Sequence, residues 1–435
     1  MNANEFLEAA RQRIPNNPSD RLTPLARTAL AHPECLIDIH AHIFDRKCLS
    51  VGYILLRMAG SKISDLLHLE SDQFEMLSSN VEEVYEEYIK PGVNNDAAWA
   101  QLEAEIENAA ELTADKELFG VDIREALRIL RKGSMMEVLD HYTNRHALVT
   151  LDRYSGKPFV TTVLMMDLET GWNMLPDKKY LTQVEEIRNI ASSRPILPYF
   201  CIHPDRADKP GANENLYELF LNAFTHATLP FFGVKVYPAL GYDPADLRLD
   251  PIYTICVEKN IPVLSHCGGE SVSTFEKTMT VVDSTGRHPV SIPGDNRVKR
   301  ARYLNRPEAW EPVLRKHPGL KLNLGHFGGD ESWNNHGSGG YTEPRVKKII
   351  EMMENPEWKV YVDYSFNVAE DHLFSYLKQQ LQQKPHLVNR TMFGTDYWVV
   401  LPLYELRESQ GRFLEVMSEH ESKLVREVAL EYLLQ

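Results

Sequence analysis

The sequence has little cysteine, no surplus of positive charge, no long apolar run and no glycine-rich dinucleotide fingerprint. Each absence removes a class of protein. The five cysteines, Cys35, Cys48, Cys201, Cys256 and Cys267, are odd in number and sit mostly in apolar, strand-like or helix-like stretches. They predict reduced core thiols in a cytoplasmic protein, not a disulfide frame. Lysine and arginine total 47 against 62 aspartates and glutamates, a net charge of −15, so no basic face advertises a nucleic-acid partner. No segment approaches the ~20 apolar residues of a membrane span. The opening stretch, MNANEFLEAARQRIPNNPSD, lacks the apolar centre of a signal peptide. No G-x-G-x-x-G follows a strand-like run, which removes the usual dinucleotide site. The expectation is therefore a small-molecule partner, with no nucleic acid and no membrane.

What is present is a rhythm. Apolar runs of strand length occur at 36–42, 159–167, 196–204, 231–238, 261–268, 320–329, 358–366 and 390–398. Most of the intervals between them, from 158 onward, are helical in pattern. Near-continuous apolar strands alternating with helices predict a parallel sheet covered by helices, and eight of them favour a closed α/β barrel over an open sheet. A chain of 435 residues fits one such barrel, provided it carries an insertion. The block at 45–155 supplies it. Stretches such as SDQFEMLSSNVEEVYEEYIK and VDIREALRILRKG carry apolar residues at helical spacing, with acids or bases between them. The predicted fold is a distorted (β/α)8 TIM barrel over 1–435, with a large α-helical insertion after its first strand. Leaving the chain beside a strand end, that block is expected to cap the barrel mouth or make a subunit contact.

The first strand run, LIDIHAHIFD, ends in two histidines, His40 and His42. Strict alternation puts Asp38, His40 and His42 on one face with Leu36, and Ile37, Ile39 and Ala41 on the other. Two imidazoles a pleat apart can both reach one metal ion; the alternative is two core histidines bonded to backbone carbonyls. Other strand runs also deliver polar side chains near their C-terminal ends: Lys235, His266, His326 and Asp396. Active sites of α/β barrels form at that rim. Imidazoles and a carboxylate suit Zn²⁺, and also Fe²⁺, Mn²⁺ or Co²⁺. Weaker candidates are His203, Asp363, Arg302, Trp333 and Tyr364. Asp38 is expected inside, below the histidines, as a hydrogen-bond partner.

The ordered set DIHAH, GVKVYP, PVLSHCGG, LNLGHFGG and FGTDYW resembles the amidohydrolase superfamily. Within it, the branch most similar is amidohydrolase family 2, which contains aminocarboxymuconate-semialdehyde decarboxylase and related hydrolases. The resemblance covers roughly 34–45 and 159–400. It implies a metal-dependent enzyme, with His40, His42, His266 and Asp396 as ligands of one divalent ion, zinc first. It implies that His326 is an acid/base group and that Asp396 also handles the proton of the attacking water. Lys235 stands where binuclear members carry a carboxylated, bridging lysine; substrate-anion binding or an ion pair is the favoured role here. The implied chemistry is hydrolysis of a small C–N or C–O substrate by metal-activated water. Non-oxidative decarboxylation or hydration of a small carboxylic acid is the alternative, and a metal-binding scaffold without catalysis is the alternative of another class. A homodimer is the expected assembly.

Overall fold

The computed structural model describes residues 1–48, 129, 132–171, 176, 178–269, 271, 273–274, 276–337, 344–397, 399–400 and 406–435. The described residues form ten strands: β1 (Leu36–Ala41), β2 (Phe159–Leu164), β3 (Ile196–Ile202), β4 (Gly233–Val236), β5 (Val263–His266), β6 (Thr278–Asp283), β7 (Gly286–Ser291), β8 (Lys321–Gly325), β9 (Lys359–Asp363) and β10 (Thr391–Met392). Eight form one sheet in the order β1-β2-β3-β4-β5-β8-β9-β10, every neighbouring pair parallel. The circle closes where Ala41 bridges Tyr397 and the His42 amide donates to the Tyr397 carbonyl at 2.7 Å. This is the (β/α)8 barrel that the eight apolar runs predict. The sequence rhythm does not reveal β6 and β7, an antiparallel hairpin between β5 and β8.

Helices follow the strands: Tyr180–Ala191 after β2, Leu216–Phe224 after β3, Asp250–Glu258 after β4, Arg297–Leu304 before β8, Pro344–Glu354 after β8 and Phe374–Gln383 after β9. Their starts carry local signals. Asn215 accepts from the amides of Tyr217 and Glu218, and Asn296 accepts from Lys299, which satisfies donors that the first helical turn leaves open. Among the described residues no helix is long and apolar enough to cross a membrane. All five cysteines are buried and free.

The barrel interior is a packed core towards its base. Ile37, Ile39, Val160, Leu164, Leu197, Tyr199, Leu264, Tyr361 and Met392 form one buried cluster, although they come from six strands. Residues that far apart around the circle meet only inside it. The helix Pro24–Ala31 and the last helix, Val428–Leu434, join this cluster through Ala26, Leu30, Val428 and Tyr432 and close the base.

That cluster corrects the strict alternation expected for β1. Asp38 pairs with Thr161 and Ala41 with Val163, so Ile39 and His40 together oppose Thr162 alone. One extra residue in a strand is a β-bulge, and it reverses the parity of everything beyond it. Ile37 and Ile39 therefore face inward, not outward, and His40 and His42 also face inward. Asp38 faces outward, away from the place expected below the histidines. Its carboxylate meets Tyr142 of the helix Met135–Arg145.

Most of the 45–155 block, residues 49–128, on which the expected cap of the mouth or subunit contact falls, lies outside the described residues. Its last part is described. The helix Met135–Arg145 packs against the seam between β1 and β10 through Val138, His141 and Tyr142, all of which reach Tyr397 or Asp38.

Lys321, at the first position of β8, is 3% exposed, and its Nζ has no hydrogen-bond partner among the described residues. Burial pushes its pKa down to about 7, and nearby Arg21 and Lys359 add to the shift. The unfolded chain then holds a proton that the folded chain gives up, so this residue's penalty is greatest at and below pH 7 and fades towards pH 10.5. The variant Lys321→Met should melt at a higher temperature than the parent at pH 6–7, with the gain narrowing as pH rises. Equal melting temperatures at pH 6 and 9.5 would contradict this.

Candidate metal centre

Two glycines make room for His40. A Cβ on Gly325 would lie 2.8 Å from His40 Cε1, and one on Gly394 would lie 2.9 Å from His40 Cβ. Real Cβ atoms essentially never approach that closely, so the glycine in LGH is a steric requirement of the His40 ring and the glycine in FGTD of its Cβ. His326 and Asp396 follow them in unusual backbone. Asp396 has φ 56, and His326 to Gly329 are four successive residues with positive φ: 65, 44, 90 and 88. For His326 and Phe327 such geometry costs on the order of 1–3 kcal/mol each, and strain of this kind collects at functional sites.

Around His40 the side chains converge. His40 Nε2 and His42 Nε2 lie 3.5 and 3.4 Å from the same oxygen, Asp396 Oδ1. Lys235 Nζ is 3.5 Å from His40 Nε2. His326 Nε2 is 2.9 Å from His266 Nδ1. All of these side chains are buried. Among the described residues His40, His326 and Asp396 each offer a ligand atom within 4.8 Å of the others, a group that contains His326 beside the expected His40 and Asp396 and leaves out His42 and His266. His42 joins it through Asp396, and His266 joins through His326.

Hydrogen bonds fix which nitrogen of each neutral ring carries its proton. Burial lowers the pKa of His40, His42, His266 and His326, the last to about 4, and Lys235 lowers each further. The rings are therefore neutral at pH 7. His42 Nδ1 faces the Leu164 carbonyl at 3.2 Å, and His40 Nδ1 faces Asp363 Oδ2 at 3.1 Å. Both partners only accept, so both Nδ1 atoms carry the proton and both Nε2 atoms present a lone pair. The Ser365 hydroxyl donates to Asp363 Oδ1 and then accepts from His326 Nδ1 at 3.0 Å. His326 Nε2 thus accepts from His266 Nδ1. The last member, His266 Nε2, is a buried lone pair with no partner among the described residues.

Two imidazole lone pairs, on His40 and His42, face one oxygen of Asp396, a donor set that suits a cation. Ligands at 2.0–2.1 Å around a tetrahedral ion stand roughly 3.3–3.4 Å apart, close to the 3.5 and 3.4 Å from Asp396 Oδ1 to His40 and His42. Asp396 carries the same signature: with only Lys235 opposing, burial pushes its carboxyl up to about 7. Lys235, buried and facing the histidines, is held down at about 8 by desolvation.

Asp363 holds several of these groups at once. Besides His40 it accepts from Asn323 Nδ2 at 2.8 Å and from the amides of His326 and Ser365, each at 3.1 Å. His203 lies apart: its Nδ1 accepts from the Asp205 amide and its ring meets Tyr242, so it caps the turn after β3. Arg302 pairs with Glu331 beside Gly269, near the rim. Trp333 donates to the Phe327 carbonyl, and Tyr364 stacks on Phe327; both are buried packing residues. Asn323, Ser365, Thr395 and Tyr142 are the site residues that sequence reasoning misses. A polar Asn323 inside an apolar strand run was a usable signal for the first. The other three become visible only through tertiary contacts.

Replacing Gly325 by alanine should push the His40 ring off Asp363. The expected outcome is a stability loss of ~1–3 kcal/mol by denaturant titration, together with weaker divalent-ion binding. Parental behaviour in both measurements would show that the close approach is unimportant.

Residues 186–428 match the family model described as amidohydrolase. That stretch is more than half of the 435 residues. It spans β3 to β10 with Lys235, His266, His326, Asp363 and Asp396, and leaves His40 and His42 outside. Among curated proteins none matches. Among solved structures the chain is similar to a probable 2-pyrone-4,6-dicarboxylic acid hydrolase of Acinetobacter baumannii, with 10% identity over 69% of this chain and 89% of that chain and a TM-score of 0.42. It is similar to 5-carboxyvanillate decarboxylase of Novosphingobium aromaticivorans, with 13% identity, 71% and 90% covered, and a TM-score of 0.36. It is also similar to 4-oxalomesaconate hydratase of Rhodopseudomonas palustris, with 12% identity, 92% and 95% covered, and a TM-score of 0.39. With the family model matched over more than half its length and the barrel closed around the histidine cluster, the chain belongs to the amidohydrolases, a family of enzymes.

Proposed function

We propose that this enzyme is a hydrolase of a small molecule, using one divalent ion held by His40, His42, His266 and Asp396. The observation that carries the proposal is the pattern of lone pairs: the Nε2 atoms of His40 and His42 lie 3.5 and 3.4 Å from one buried oxygen of Asp396, and the rings of His40, His42 and His266 are each already bonded through Nδ1. Neutral imidazoles suit Zn²⁺ first, with Mn²⁺, Fe²⁺ and Co²⁺ as further candidates. When bound, such an ion supplies Lewis acidity, polarising a substrate carbonyl and making hydroxide available near neutral pH.

The chain's own residues do the rest. Asp396 is placed to take the proton of the attacking water, because its second oxygen remains for that task when Oδ1 faces the histidines. His326 holds a lone pair at Nε2 and a proton at Nδ1. It receives a proton at Nε2 from the reacting water and hands it to the leaving group only by exchanging the bond from His266 Nδ1 for one to the reacting molecule. Asp363 and Ser365 keep that ring in one tautomer throughout. Lys235, cationic at pH 7, attracts a negative group on the substrate or charge developing on its carbonyl oxygen. Buried walls exclude bulk water, which strengthens each of these interactions.

His266→Ala and Asp396→Ala should lose the ion. His326→Ala should keep it and lose ~10²–10⁴-fold in turnover, the usual contribution of a general acid–base group. Elemental analysis of protein purified without chelators, with steady-state rates on a panel of amides, lactones and carboxylic acids, checks both. An empty site in His326→Ala would make His326 a ligand. Release of carbon dioxide, with no solvent ¹⁸O entering the product, would replace hydrolysis by decarboxylation.

A further inference from the structure

The helix Met135–Arg145 touches the site from outside the barrel, and its contacts converge on one turn. Tyr142 donates its hydroxyl to Asp38 Oδ2. The same carboxylate accepts from Thr395 Oγ1 at 2.6 Å, from the Thr395 amide at 3.1 Å and from the His40 amide at 2.9 Å. Tyr142 also stacks on Tyr397, with ring centroids 4.3 Å apart. The Tyr397 hydroxyl meets His141 Nδ1 at 3.0 Å and donates to the Val138 carbonyl at 3.3 Å. Thr395 and Tyr397 are the two neighbours of Asp396. Both are gripped by this helix, directly or through Asp38.

Asp396 needs such a grip. Its backbone is left-handed at φ 56, and its amide donates to the His40 carbonyl at 2.8 Å. The position of its carboxylate relative to His40 and His42 therefore depends on how the Thr395–Tyr397 turn is pressed against β1. Within the barrel two-residue β10 precedes this turn, and the seam with β1 consists of one bridge, Ala41 to Tyr397, and four backbone hydrogen bonds: Ile39 to Phe393, Thr395 and Asp396 to His40, and His42 to Tyr397. Sheet pairing alone is short there.

We infer that Tyr142 and Asp38 are positioning residues: a clamp from the helix Met135–Arg145 that holds Asp396 against His40 and His42 and so sets the ion affinity of the site. This rests on the proposed ion site for its functional consequence, but the clamp itself is a property of the protein alone. A short strand seam is reinforced from outside by a tyrosine, through a buried aspartate that bonds β1 and the turn after β10 at once. The geometry also explains why Asp38 lies on the outer face. Only there can it reach the helix and the turn together.

The test uses the full chain with Tyr142→Phe, which removes one hydroxyl and keeps the ring stack. The first measurement is amide hydrogen exchange of Thr395, Asp396 and Tyr397 in ion-free protein. These amides should exchange at least about tenfold faster in the variant, while β8 amides keep the parental rate. The second is Zn²⁺ and Co²⁺ affinity by competition with a chromophoric chelator. It should fall ~10–100-fold, as when an outer partner of a metal ligand is removed. Tyr432→Phe, which deletes a buried hydroxyl bonded to the Val263 carbonyl at the barrel base, should change neither. Unchanged exchange at the three amides overturns the clamp, as does a uniform rise across the whole barrel. If the parent takes up no ion but the three amides still loosen in Tyr142→Phe, the clamp stands and the ion site falls.

Discussion

A carboxylate at the end of a buried strand must find donors or give up its charge. Asp363 finds them on three sides: the His40 ring from β1, Asn323 from β8, and the amides and hydroxyl that follow β8 and β9. Much of the site follows from that demand. His40 is turned so that Nδ1 meets Asp363 and Nε2 faces inward. Ser365, anchored to Asp363, accepts from His326, and His326 in turn accepts from His266. One charge thereby orders the protons of a whole chain of neutral rings. Removing it would leave the tautomers of His40 and His326 unspecified, and with them the direction of every lone pair.

A second carboxylate, Asp38, works on the other face of the same strand. Asp363 sets the ring of His40, whereas Asp38 bonds its backbone amide and ties it to the turn carrying Asp396. The bulge between Asp38 and Ala41 makes this division possible, because one extra residue places consecutive polar groups on opposite sides of the sheet. Gly325 then opens the space that the inward ring fills, and Gly394 the space for its Cβ. The strained backbone at His326 and Asp396 is tolerated because each is held by several bonds from different strands.

The barrel was legible in the sequence because its strands are buried on both faces and read as near-continuous apolar runs. The rim residues were legible because histidine, lysine and aspartate stand out at the ends of such runs. The bulge was not, since period-two reasoning assumes a constant pairing count and one added residue leaves no local mark. It put Asp38 on the wrong face, and Ile37 and Ile39 with it. The β6–β7 hairpin was missed because its strands are half-exposed and mixed in character. Ser365 and Thr395 look like ordinary turn residues, and Tyr142 looks like an ordinary helix aromatic. Their importance comes from partners more than 30, 350 and 100 positions away, respectively. Such pairs exist only once the barrel has closed. His203 shows the converse: a histidine at a strand end that caps its own loop and stays out of the cluster.

The central claim is that buried lone pairs on His40, His42 and His266, with Asp396, surround one cation. Anomalous diffraction at the zinc, manganese and iron edges from crystals grown without chelator tests it most directly. The expected result is a single peak bonded to Nε2 of His40, His42 and His266 and to the Asp396 carboxylate, with His326 bonded to Ser365 and not to the ion. Two peaks bridged through a modified Lys235, or a single peak ligated by His326 in place of His266, would contradict it.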